Sequence, residues 1–154
     1  VSVLPPDDTP GRPAYARAAG GAKLALRAPL ALAAAPHGKI VIAGTGAADA
    51  SGSLVQGAAD GPFAPLGTIA GAAGRGTLAT AYLGDVAAIW ALAGGGVQAR
   101  VERYFAGGLS PALMVARGGR VEAPTISLDY RTDAIAVWRQ AGALYAREEP
   151  ASGP

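Results

Sequence analysis

Seven acidic residues lie between positions 49 and 133: Asp49, Asp60, Asp85, Glu102, Glu122, Asp129 and Asp133. Two carboxylates facing one another across a cleft would supply the acid and base of glycoside hydrolysis. Such a pair would come from loops of different units. Asp85 and Asp133 recur at equivalent places in a repeat described below. That recurrence assigns them to turns, where a side-chain oxygen accepts from a nearby backbone N–H.

Other reactive types are scarce. His37, in Pro36-His37-Gly38, is the only histidine, and cysteine is absent. A metal or a nucleophile–base pair needs partners that the chain does not offer, so His37 reads as a solvent-facing turn residue. Gly71 to Thr77 has the glycine content of a phosphate cradle. It lacks the Gly-Lys-Ser/Thr end that would reach phosphate and Mg²⁺, and it reads as an inter-strand loop. Asp49 lacks the alternating carboxylates of a Ca²⁺ loop, so a linker is expected there. No catalytic residue, cofactor-binding residue or metal ligand is therefore assigned, and no cofactor is expected.

With 154 residues, half of them hydrophobic and few charged, the chain can bury a real core in one domain. Residues 14–148 form the expected domain, between an N-terminal tail at 1–13 and a C-terminal tail at 149–154. The basic residues are dispersed and do not alternate with aromatics, so nucleic acid is not an expected partner. No apolar run is long enough to span a bilayer as a helix. The chain starts at Val1 rather than Met, as a processed product or a fragment would. The compartment stays open, with an extracellular or secreted setting the expectation. Asn is absent, which excludes N-glycosylation.

The elements that would position any site come from internal repetition. A strand-like unit recurs as Ala14 to Arg17, Leu54 to Gly57, Val97 to Arg100 and Leu144 to Arg147. Its intervals run from about 40 to 47 residues, the period of propeller and solenoid repeats. A second marker, an apolar run, recurs as Lys39 to Ala43, Val86 to Trp90 and Ala134 to Trp138. Turn-like triplets precede these runs: Pro36 to Gly38, Leu83 to Asp85 and Arg131 to Asp133. The filler between markers matches too. It gives Lys23 to Arg27, Leu66 to Ala70 or Leu113 to Ala116, then a Gly/Pro break, then Leu30 to Ala35, Thr77 to Tyr82 or Thr125 to Asp129.

A helical reading, with Asp85 and Asp133 as N-caps, is cut short by Gly94 to Gly96 and by Gly142, so strands are the expectation. The fold class expected is all-β, with three four-stranded repeats plus one extra strand.

Four short strands in such a period resemble a β-propeller blade. The resemblance covers about Ala14 to Arg147. It is generic, because Trp90 precedes Ala91 and Trp138 precedes Arg139 where WD repeats have Trp-Asp. Ser127 and Asp129 fit the first positions of a sialidase-type Asp box, while Arg131 and Asp133 depart from it and Trp138 lies too far on.

Propellers close with 4 to 8 blades. The resemblance therefore implies completion by another copy or by further chain, and a sandwich or barrel from the same strands stands as the alternative. Trp90 and Trp138 share one repeat position and are expected to be packing residues, with a ligand platform the sharper alternative. Tyr15 and Tyr145 read as paired strand aromatics, and Tyr104-Phe105 as a contact at a loop edge.

The function expected is a non-catalytic structural or binding module, as a homo-oligomer or with the remainder of a longer chain, with a carbohydrate or protein ligand. A sialidase-like glycoside hydrolase fragment or a lectin-like binder is the alternative.

Overall fold

The computed structural model describes residues 2–3, 16–17, 26–46, 51–58, 61–103 and 108–150. Among them the chain is all-β, and its one helical piece is the 3-10 turn Pro36–Gly38. Strands β1 (Ser2–Val3) and β2 (Ala16–Arg17) form a small antiparallel pair.

The rest is three antiparallel sheets, each a meander in chain order. Sheet I holds β3 (Leu26–Ala34), β4 (Lys39–Gly46), β5 (Gly52–Ala58) and β6 (Ala64–Ile69). Sheet II holds β7 (Ala72–Thr80), β8 (Val86–Leu92), β9 (Gly96–Glu102) and β10 (Leu113–Arg117). Sheet III has three strands, β11 (Val121–Leu128), β12 (Ala134–Gln140) and β13 (Ala143–Glu149).

The same local chemistry makes each sheet. Between its first and second strands lies a three-residue turn closed by a backbone hydrogen bond. The bonds are Ala35 N to Lys39 O (2.8 Å), Ala81 N to Asp85 O (3.0 Å) and Asp129 N to Asp133 O (3.1 Å). The last turn residue is left-handed in all three: Gly38 at φ 74°, Gly84 at φ 93° and Thr132 at φ 69°. Glycine takes that conformation without penalty, whereas a β-branched residue takes it only under local constraint.

Each first strand then carries a bulge. Pairing slips between Arg27 and Ala31, between Ala73 and Thr77, and between Glu122 and Thr125. The residue facing the slip is Gly44, Trp90 or Trp138. Extra residues in one strand bend it away from its partner and make room at that point. An indole fills the room in sheets II and III. In sheet I, Leu30 reaches back over Gly44, where a Cβ would meet Leu30 Cδ2 at 2.7 Å.

The sheets stack face to face with sheet II in the middle. Alternation along β8 sends Val86, Ala88 and Trp90 into a core with Val41, Ala43, Leu54 and Ile69 of sheet I. Ala87 and Ile89 point the other way, into a core with Ile126, Ala134, Ala136 and Trp138 of sheet III. A strand with a core on both sides must be apolar throughout, and Val86 to Trp90 is fully buried. The first strands lie side by side, β3 along β7 and β7 along β11. Thr80 Oγ1 donates to Ala34 O (3.0 Å) and Thr77 Oγ1 to Pro124 O (2.9 Å), which fastens these neighbours.

The repeat period and its markers match this architecture. Two expectations are corrected. Sheet boundaries fall after β6 and after β10 rather than before Leu54, Val97 and Leu144, so the third sheet has three strands, and the extra strand expected at Leu144 to Arg147 is β13, paired with β12 in that sheet. The Gly/Pro breaks at Ala28-Pro29 and at Gly71 to Gly76 were expected to separate strands. They lie instead within or at the start of β3 and β7 as bulges, because the chain resumes the same pairing on the far side. Closure into a ring is not seen among the described residues.

Candidate functional site

The expected acids do not assemble into one site. Asp129 works within its own turn: its Oδ1 accepts from Arg131 N (2.8 Å) and from Asp133 N (2.9 Å). In this turn Asp129 is thus a side-chain acceptor beside Asp133, with the Asp133 N–H among its donors. Glu122 lies at the opposite end of β11, paired with Arg139 in the sheet register. Asp85 precedes Val86, which pairs with Glu102, so these two acids sit at one end of sheet II. Both are buried, and Glu102 Oε2 is held 2.5 Å from Lys39 Nζ of sheet I. An ammonium on the carboxylate makes this an inter-sheet clamp rather than a free acid–base pair.

Asp49, Asp60, Tyr15 and Tyr104-Phe105 lie outside the described residues. His37 lies in the turn Pro36–Gly38. Among the described residues no group of His, Cys, Asp and Glu could hold a metal ion. No helix there is long and apolar enough to cross a membrane. Gly71 to Thr77, expected as a loop, is the turn into β7 and its bulge, with Gly74 at φ 69°.

Two concave regions follow from the stacking. A cleft of about 260 Å³ opens between sheets II and III, walled by Val101, Val115, Ile126 and Ala136, with Arg103 and Arg147 among its polar lining. Guanidinium groups over an apolar wall could receive a small carboxylate. Here they are already engaged. Arg103 Nη1 donates to Thr132 O, Arg147 Nη1 donates to Met114 O (3.2 Å), and Arg147 Nη2 lies 3.7 Å from Glu149 Oε2. The two arginines therefore stitch sheet II to sheet III.

A wider groove of about 570 Å³ crosses the bulges of the first strands, with Leu32, Arg75 and Pro124 in its lining. Arg75 is the one charged residue of its lining among the described residues.

Both tryptophans are core residues. Trp90 is fully enclosed, and its Nε1 has no hydrogen-bond partner among the described residues. Trp138 stacks on Tyr145 with ring centroids 5.8 Å apart and donates from Nε1 to Gln140 Oε1 (3.3 Å). Sequence reasoning missed a different aromatic pair. Tyr82 and Tyr130 open the equivalent turns of sheets II and III, and each is about four-fifths exposed. The guanidinium of Arg131 lies over the Tyr130 ring at 5.3 Å. The signal was present, since each tyrosine begins the triplet before a repeat run, but the triplets in the sequence were framed one residue late.

No protein-family model matches the chain. No curated protein matches it either.

Proposed function

We propose that this chain is a non-catalytic structural or binding module built from β-propeller-type repeats, working by self-association or within a larger assembly. One observation carries the reading: turn and bulge recur at matching positions in three sheets that stack along their first strands, with an apolar core in each of the two seams. Radial packing of blades around their innermost strands has this form, and rings need 4 to 8 blades. The remaining blades would come from a second copy or from further chain. Acids committed to a turn (Asp129) and to an ammonium (Glu102) argue against a glycosidase pair.

Assays on aryl glycosides and esters should show no turnover, and elemental analysis should show no stoichiometric metal. Hydrolysis abolished by Asp85→Asn and Glu102→Gln would overturn the reading.

A lectin-like reading draws on Tyr82 and Tyr130, because exposed rings on neighbouring turns can stack on sugar faces. Glycan-array binding lost in Tyr82→Ala and Tyr130→Ala would establish it.

A further inference from the structure

In sheets I and II one face is the seam of the stack. Val41, Ala43 and Leu54 of sheet I, and Ala87, Ile89, Val97 and Ala99 of sheet II, are buried because the next sheet covers them. By register, the same places in sheet III belong to Ile135, Val137, Leu144 and Ala146. Nothing covers this face among the described residues. Ile135 is 40% exposed and Leu144 76%, whereas Val41, Ala87 and Ile89 are at 0%.

The face is not uniformly apolar. At one end Arg139 stands beside Leu144, and at the other Glu148 stands beside Ile135. Neither charge has an ion-pair partner among the described residues.

We propose that this face is a homotypic interface, on which two copies of the chain stack their third sheets about a two-fold axis with strands antiparallel. The proposal rests on the self-association reading, and places the second copy against the third sheet rather than as the remaining blades of a ring. A two-fold axis makes the surface its own partner, so it must be self-complementary. Antiparallel stacking lays the strip of Ile135, Val137, Ala146 and Leu144 across its own copy. It also brings Arg139 opposite Glu148 of the partner subunit, once at each end. Parallel stacking would set arginine on arginine and glutamate on glutamate, which electrostatic complementarity rejects. A head-to-tail ring would instead use the back of sheet I, where Ile40 and Ile42 are already buried. Thr125 and Ser127, exposed beside the strip, give it a polar rim of the usual kind.

The test is the solution mass of the full chain by light scattering across a concentration series, for wild type, Arg139→Glu, Glu148→Arg and the double reversal. Both changes are on exposed positions, and circular dichroism checks that the fold is kept. Wild type should be a dimer. Each single reversal turns two attractions into two repulsions and should weaken it by about tenfold or more. The double reversal should restore most of the affinity. A dimer indifferent to the single reversals would overturn this interface and leave self-association standing. A folded wild-type monomer at all concentrations would overturn both.

Discussion

Trp90 and Gly76 share one small volume: a Cβ built on the glycine would lie 2.1 Å from Trp90 Cε2 and 2.6 Å from its Nε1. Gly76 ends the bulged part of β7, and Trp90 is the β8 residue opposite that bulge. The bulge bends the strand outward and the missing side chain completes the space, so the indole can lie in the core between sheets I and II. Gly76→Ala should destabilise by about 2–3 kcal/mol, because rigid aromatic atoms cannot yield as a flexible side chain would. Urea denaturation measures this. A change below about 0.5 kcal/mol would mean that the indole has another place to go.

Trp90→Ala and Trp138→Ala should act on stability, each costing about 3–5 kcal/mol as large-to-small core changes do. Trp138→Ala also removes the stacking partner of Tyr145, so near-ultraviolet circular dichroism should change more than secondary structure does. Losses near zero at both sites would contradict the packing role.

The period of the repeat was legible because the second strands are the most buried and their apolar runs cannot vary freely. The Ala141-Gly142 break was legible for a similar reason. Two consecutive positive φ values, 50° and 81°, demand a small and permissive pair between β12 and β13. The sheet boundaries were not legible. A glycine run that bulges a strand and one that ends it have the same composition, and only the partner strand decides which occurs. That is why Gly71 to Gly76 was taken for a break, whereas Gly118-Gly119, of like composition, does part β10 from β11. Asp129 was missed as the turn acceptor because its equivalents, Ala35 and Ala81, have no side-chain acceptor and so gave no recurring signal.

The third turn differs from the other two in a way that assigns a role to Asp129. Gly38 and Gly84 accept the left-handed conformation freely, whereas Thr132 holds φ 69° with a branched side chain. The two hydrogen bonds to Asp129 Oδ1 hold the backbone on either side of Thr132. Asp129→Ala should therefore cost about 1–2 kcal/mol, as loss of a capping side chain does. Asp129→Asn keeps an acceptor oxygen and should retain most of that stability. Thermal denaturation of the two variants side by side checks this, and equal losses would show that charge matters rather than the acceptor geometry.

Lys39 and Glu102 give the last prediction. Lys39 opens β4 of sheet I, Glu102 closes β9 of sheet II, and their contact joins the two sheets at the end where the first turns lie. The side chains are 20% and 9% exposed, so the lysine can reach water and the glutamate barely can. The two halves of the pair should then behave unequally. Lys39→Met leaves a buried carboxylate without its cation and should cost about 2–4 kcal/mol. Glu102→Gln leaves an ammonium that turns to solvent and should cost about 1 kcal/mol. Replacing both, as Lys39→Met with Glu102→Gln, removes both charges and should recover most of the loss. A double-mutant cycle in urea reads the coupling directly. Additive single losses would show that the contact does not hold the sheets together.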